Sequence, residues 1–495
     1  MTTRKSKVLL IQPTWSSVHG SFASIAAKKL FLPPVGICYL AAALFRKGHE
    51  VEMLDLEPAG LSLRETLEAI AGARPDLLGV TTTTPAYSIA RDFCAEVRGA
   101  LPGLPIVIGG PHISGTGAEE LDAPFDYALL GESELSLPTL ADAVMGEAGV
   151  EEVPGLVYRS AGGLRRTDRG PFIDDLDRIP FPLRGLLDPA HYATFVPGRG
   201  LRRATTITAS RGCPFQCVFC SAHVILGKKF RLRSVGNILE EIEEARRRWR
   251  ISHFYFNDST LTLMRDWILS LCEQIRRKGL DITWEGMTRV NAIDRELLKA
   301  LKGAGFVRLS LGIESGDQRI LDVMKKGVTV EEIRAAYRLC REEGIETESF
   351  AMLGLPGETR ETIRRTAWFV RSIPEVRYSS FSIATPYPGS ELMDMAKKGE
   401  HGLRLLSTDY NRYRRYDGGV MEVNGLSPAD LQREQKIGLL IMHLTPRKML
   451  ALIRHFGVWM LVGRFVGILK ELVQGAGKRL RGNGAQGEEF SAFRK

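Results

Sequence analysis

The stretch Ser210-Arg211-Gly212-Cys213-Pro214-Phe215-Gln216-Cys217-Val218-Phe219-Cys220 gathers three of the chain's seven cysteines into one short loop. That spacing lets a compact turn offer three thiolates to one face of a cuboidal iron–sulfur cluster. Such a cluster normally takes one protein thiolate per iron. Three thiolates therefore leave one iron open for a substrate or cofactor, which is the design of a reactive cluster and not of a sealed electron carrier. A structural zinc site would want a second Cys-x-x-Cys pair at a distance, yet Cys38, Cys94, Cys272 and Cys340 stand alone. A disulfide framework would want an even, secreted set, and no secretory leader is expected ahead of the first strand.

Working outward, 495 residues are too many for one ordinary domain, and two or three are expected. A hydrophobic share of 44% and a charged share of 25% are those of a globular protein. The net charge of +9 is spread along the chain and forms no long basic tract, so no nucleic-acid partner is expected. Free cysteines and an oxygen-sensitive cluster suit a reducing cytoplasm.

Upstream, residues 1–148 alternate short apolar runs with amphipathic stretches. Strands are expected over 7–12, 50–55, 77–83, 106–108 and 127–130, with helices over 36–47, 63–73 and 86–100. Strand–helix alternation with short connections predicts a doubly wound, flavodoxin-like parallel sheet of the Rossmann type. Its ligand belongs beyond the carboxyl ends of the strands. Those ends read Thr81-Thr82-Thr83-Thr84-Pro85, Gly109-Gly110-Pro111-His112 and Gly131-Glu132-Ser133-Glu134. Paired glycines let backbone approach a bulky flat ligand, and threonine hydroxyls can bond its polar rim. Ordinary turn chemistry accounts for any one such loop; three on one edge point to a site.

Residues 149–204, rich in Gly, Pro and charge, read as a linker carrying a small hairpin, 153–158 against 164–167. From residue 205 a second alternating series runs to about 400. Its strands are expected over 205–209, 253–257, 283–289, 307–313, 348–353 and 379–384, separated by helices over 235–249, 263–278, 295–304, 330–343 and 361–372. Thr329-Val330-Glu331-Glu332 is a capping-box signature. Beyond it, residues 401–477 read as helical and 478–495 as a Gly- and charge-rich disordered tail. The stretch 446–475 is apolar but interrupted by Arg454, His455, Arg464 and Lys470, so it is too broken to span a bilayer. It fits a helix on the barrel mouth, or an interfacial helix making peripheral membrane contact.

The triad, with aromatic Phe219 ahead of the third cysteine, resembles the signature of the radical S-adenosylmethionine (SAM) enzymes. The N-terminal turns resemble the cobalamin-binding domain that precedes many of them. The resemblance implies an α/β protein: a Rossmann-like cobalamin domain followed by a partial (β/α)6 TIM barrel, whose active residues lie at the carboxyl ends of its strands. It implies three cofactors: a [4Fe-4S] cluster on Cys213, Cys217 and Cys220, SAM on its open iron, and cobalamin over the N-terminal strand ends. Thr82, Thr83, Gly109, Gly110, Pro111, His112, Gly131 and Glu132 would serve cobalamin. Phe219, Arg289, Glu314, Ser315, Gly354 and Pro356 would serve SAM, Arg289 at its carboxylate and Glu314 at its amine or ribose. Asp258 could bind SAM, bind substrate or cap a helix. The loop after the first strand lacks the Asp-x-His-x-x-Gly element that ligates cobalt elsewhere. His19 is its only histidine, so cobalamin is expected without a protein histidine on the metal. The implied activity is methylation of an unactivated carbon in a small-molecule or lipid-like substrate, fed by a flavodoxin- or ferredoxin-type one-electron reductant. Non-methylating oxidative cyclisation or rearrangement on the same scaffold is the alternative. A methylthiotransferase would need three further N-terminal cysteines, and only Cys38 and Cys94 are present there.

Overall fold

The computed structural model describes residues 5–16, 32–119, 121–196, 198–376, 379–414, 419–446 and 448–450. Its first sheet has seven strands in the order β2-β1-β3-β4-β5-β6-β7. They are β1 (Lys7–Gln12), β2 (Glu50–Asp55), β3 (Leu77–Thr81), β4 (Ile106–Gly109), β5 (Tyr127–Leu129), β6 (Leu156–Ser160) and β7 (Gly163–Arg166). Strands β1–β5 pair in parallel, in the 2-1-3-4-5 order whose direction of winding reverses between β1 and β3. The central strands are near-continuous apolar runs because helices cover both faces of the sheet. Accordingly one core gathers Val8, Leu10 and Leu77 with Ile37 and Leu140, and another gathers Leu9, Ile11 and Leu78 with Ile70 and Val97.

The hairpin expected inside a linker is part of this sheet. Strand β6 pairs antiparallel with β5, and β7 with β6. Leu156 and Val157 are fully buried in the two cores, which is why the segment adheres to the domain. The rest of the expected linker also carries structure. β8 (Ala193–Val196) pairs antiparallel with β9 (Gly200–Ile207), so the first barrel strand starts five residues earlier than its apolar run suggests.

The second sheet runs β16-β15-β14-β13-β12-β9-β8, a curled half-barrel whose six consecutive strands from β9 onward are parallel. Its members are β12 (His253–Phe256), β13 (Thr283–Thr288), β14 (Phe306–Glu314), β15 (Glu346–Leu353) and β16 (Ser379–Ile383). Trp284 marks the centre of the layer between sheet and helices. It packs against Phe256 and Phe306 at ring separations of 4.9 and 4.8 Å and gives its indole proton to Ala304 O at 2.8 Å. Helix Val330–Glu342 opens with the expected reciprocal cap: Glu332 N donates to Thr329 Oγ1 at 3.1 Å, and Thr329 N to Glu332 Oε2 at 2.7 Å. Thr329→Ala should therefore cost about 1 kcal/mol in a denaturant melt, with no change in the sheet's spectrum.

Helix Pro428–His443 packs on the outside of the last strand. Gln435 Nε2 donates to Phe381 O at 2.6 Å, and Glu434 accepts from Arg364 at 2.9 Å and faces Arg360 at 3.0 Å. Among the described residues no helix is long and apolar enough to cross a membrane. The segment around His19, most of the expected 446–475 helix and the tail lie outside the described residues.

Candidate active site between two domains

The cysteine loop leaves the barrel after β9 and is closed at its neck by a two-strand ribbon, β10 (Ser210–Arg211) against β11 (Arg231–Leu232). Gly212 sits at φ +87°, where a Cβ would lie 2.0 Å from Lys229 O, so no other residue fits the start of the turn. Backbone bonds then fix the loop independently of its sulfurs. Cys213 N donates to Gly227 O (3.2 Å), Val218 N to Met324 O (3.1 Å) and Cys220 N to Cys217 O (3.0 Å). None of the three thiols is in a disulfide, and all are partly accessible. Burial raises the Cys220 pKa, the neighbouring Cys217 and Cys213 add to the rise, and Lys326 opposes it. Among the described residues no three His, Cys, Asp or Glu side chains converge as they would on a single ion. A cluster needs no such convergence, since each thiolate takes a different iron.

Two of the expected SAM-side residues, Arg289 and Glu314, lie beside this loop, and a third, Phe219, is part of it. Arg289 lies at the end of β13 and donates from Nη1 to Cys217 Sγ at 3.5 Å. Its guanidinium stacks 3.9 Å from the Phe215 ring, Nη2 donates to Lys326 O, and buried Nε has no partner. Glu314 sits at φ +58°, just past a register shift in β14, and its carboxylate accepts from Lys326 Nζ at 2.8 Å in a buried pair. That ammonium lies 5.8 Å from the Phe219 ring. Ser315 is instead fully buried against Thr366, with its Oγ 3.2 Å from Thr366 Oγ1. Gly354 and buried Pro356 belong to the loop after β15, where a Cβ at Gly354 would lie 3.2 Å from Leu431 of the C-terminal helix. Asp258 is fully enclosed and accepts from both the backbone and the hydroxyl of Ser210; burial pushes it up to about 6 against those bonds. It braces the entry to the cysteine loop and caps no helix.

A cavity of about 360 Å³ lies at the reversal between β1 and β3. Its floor is apolar (Leu10, Val80, Val107, Leu129), and Gly79 also borders it, where a Cβ would lie 2.6 Å from Leu10 Cδ2. Gly109, Gly110, Pro111, Gly131 and Glu132 form one wall; Thr208, Ser210, Arg211, Asn257 and Ser259 of the barrel form the other. An apolar floor, a glycine rim and an opposing polar wall suit a broad planar group with an inserted tail. Thr82, Thr83 and His112 stand behind that wall. Thr82 N donates to Gly109 O at 3.0 Å, and its hydroxyl donates to Thr83 O at 3.1 Å. His112 Nδ1 is 3.3 Å from Thr84 Oγ1, and its ring is enclosed by Tyr87 (4.1 Å) and Tyr410 (4.4 Å); burial lowers it to about 4. Among the described residues no histidine lines the cavity.

Sequence reasoning passed over Tyr39, which lines the cavity with its ring 5.7 Å from the Arg211 guanidinium, and over Arg211, Glu134 and Lys326. Arg211 and Glu134 stood in the quoted motifs and could have been singled out. Tyr39 is one more apolar position in a helix, and Lys326 lies in an unremarked Lys-Lys-Gly turn.

Residues 207–370 match the model of the radical SAM superfamily, and residues 24–141 match that of the B12 binding domain. The chain is 30% identical to an uncharacterized methyltransferase of Pyrococcus horikoshii, over 89% of its own length and 93% of that protein. It is 31% identical to an anaerobic magnesium-protoporphyrin IX monomethyl ester cyclase of Rubrivivax gelatinosus, over 82% and 72%. In fold it is similar to the radical SAM methyltransferase TsrM from Kitasatospora setae, solved with cobalamin and a [4Fe-4S] cluster bound. There the TM-score is 0.66 at 22% identity, covering 87% and 82% of the two chains. A cysteine loop on a half-barrel and a glycine-rimmed cavity facing it thus coincide with both matched domains, and the chain belongs to the cobalamin-dependent radical SAM methyltransferase family, whose cofactors are a [4Fe-4S] cluster, SAM and cobalamin.

Proposed function

We propose that the protein methylates an unactivated carbon of a small-molecule substrate. The observation that carries this reading is a cavity bordered by both domains, in which Arg211 is at once a wall residue and the neighbour of the cysteine turn. When bound, the cluster and SAM supply a carbon-centred hydrogen abstractor and cobalamin supplies a transferable methyl group. The chain's own task is to hold three reacting centres in one enclosure and to exclude water from it.

Cys213, Cys217 and Cys220 would hold the cluster. Arg289, stacked on Phe215 beside Cys217, would meet the SAM carboxylate, since its buried Nε is an unused donor. Glu314 would exchange its Lys326 partner for the SAM amine or ribose, and the Gly354–Pro356 backbone would border the adenine. Gly109, Gly110, Pro111 and Gly131 would carry the corrin. Thr82, Thr83 and His112 would set the shape of the turns from behind. A flavodoxin- or ferredoxin-type protein would deliver the electron.

The similarity to a cyclase supports a second reading, oxidative cyclisation without methyl transfer. Product analysis separates the two. After anaerobic reconstitution with hydroxocobalamin, SAM and a one-electron reductant, methylation yields S-adenosylhomocysteine alongside 5′-deoxyadenosine. Deoxyadenosine alone would overturn methylation and leave cyclisation.

A further inference from the structure

Glu132 stands in the turn after β5, on the N-terminal domain, yet its carboxylate is spent on the barrel. Arg231 grips it with both terminal nitrogens, Nη1 to Oε2 at 2.9 Å and Nη2 to Oε1 at 2.8 Å. Arg211 Nη1 lies 3.3 Å from the same Oε1, and Ile173 N donates to Oε2 at 3.0 Å. Arg211 also pairs with Glu134 through Nη2. Arg211 and Arg231 face each other across the β10–β11 ribbon, which is the neck of the cysteine loop. The Arg231 Nη2 atom reaches the loop's far side too, donating to Leu226 O at 2.6 Å, and Arg169 holds Val224 O there at 2.7 Å. The whole group is buried: the side chains of Glu132, Arg231, Arg211 and Glu134 are 4%, 2%, 8% and 9% exposed.

Two buried guanidiniums against two carboxylates are balanced. Removing one carboxylate leaves both arginines facing a single partner in a site closed to water, where the lost interaction cannot be replaced by solvent. The neck would then open or shift, and every residue between Gly212 and Phe230 hangs from it. We infer that Glu132 is a positioning residue for the iron–sulfur loop, acting from the cobalamin-side domain: it fixes where the three thiolates stand relative to the cavity. The inference rests on Cys213, Cys217 and Cys220 being the cluster's ligands.

The test uses the full chain, reconstituted anaerobically, as wild type, Glu132→Gln, Glu134→Gln and Arg231→Lys. Iron release to a chelator and the EPR spectrum of the reduced cluster are measured, with circular dichroism as a check of the fold. Glu132→Gln should release iron on the order of tenfold faster, as the loss of groups behind metal ligands generally does, and should alter the EPR line shape. Glu134→Gln, which removes one contact to Arg211 alone, should have a smaller effect. Arg231→Lys keeps the charge but not the fork; it should fall between, and it serves as the test if Glu132→Gln does not fold. Wild-type iron release and an unchanged spectrum in Glu132→Gln, or in Arg231→Lys where that variant stands in, would overturn the inference. Failure of the ligand assignment looks different: a Cys217→Ala protein that still takes up a normal cluster.

Discussion

Replacing Cys217 with alanine should abolish the cluster's visible absorbance and all formation of 5′-deoxyadenosine. Each iron of the cluster takes one thiolate, and with only three cysteines in the loop none is redundant. The other four cannot substitute, since Cys38, Cys94, Cys272 and Cys340 are all buried in packed cores. The loss should be chemical and not conformational. The loop is held by backbone bonds at Cys213, Val218 and Cys220 and by the positive φ of Gly212, none of which uses the Cys217 sulfur. The contact that does use it, from Arg289 Nη1, leaves that guanidinium stacked on Phe215 and bonded to Lys326 O. Circular dichroism and melting of Cys217→Ala should therefore stay near wild type. Cys272→Ala, a core truncation, should show the reverse: some loss of stability, with absorbance and deoxyadenosine formation retained. Normal visible absorbance in Cys217→Ala would refute the ligand assignment.

How much of this was legible in the chain divides along a physical line. The cysteine turn, the strand–helix alternation and the capping box are local: each is a spacing of a few residues, and each appears where the sequence puts it. Strand ends such as Gly109-Gly110 and Gly131-Glu132 are legible as ends for the same reason. What the side chains at those ends do is set by residues far away. Glu132 read as a cofactor contact and borders the cavity, while its side-chain partners Arg211 and Arg231 lie 79 and 99 residues on, in another domain. Glu314 read as an acceptor for the SAM amine or ribose, and the partner the fold gives it, Lys326, is brought back onto it by the segment after β14. The β6–β7 hairpin read as part of a linker because the stretch around it is rich in Gly, Pro and charge, and all four residues of β7 are exposed. Only β6, with its buried Leu156 and Val157, ties it to the sheet.

Glu358→Gln should make the protein more stable at alkaline pH and flatten its stability–pH profile. Glu358 follows the Gly354-Leu355-Pro356-Gly357 turn and is 0% exposed. Leu355 N donates to its Oε2 at 3.0 Å, while buried Oε1 has no partner. Burial without a cation raises its pKa from an ordinary 4.5 to about 8; the backbone donors Leu355 and Gly354 oppose the rise, and Asp317 adds to it. The sign follows from proton counting. Below pH about 4.5 the carboxyl is protonated in both folded and unfolded chains, and its contribution is fully present. Between about 4.5 and 8 the unfolded chain has released the proton and the folded chain has kept it, so stability falls as pH rises. Above about 8 the loss is complete, at most about 5 kcal/mol for this shift. Glutamine has the shape of the protonated acid, can accept from Leu355 N through its oxygen, and does not titrate. Denaturant melts of the two proteins should coincide below pH about 4.5 and diverge through pH 8, with Glu358→Gln the more stable. Parallel curves over that range would show that Glu358 is ionised in the fold. The loop it supports is tied to the C-terminal region by Asn424 Nδ2 on Glu358 O at 2.9 Å and by Gly357 N on His401 O at 2.8 Å. Those backbone ties survive the substitution, so the turn that would border the adenine should keep its shape. Deoxyadenosine formation should accordingly persist in Glu358→Gln and decline less than in wild type as the pH approaches 8.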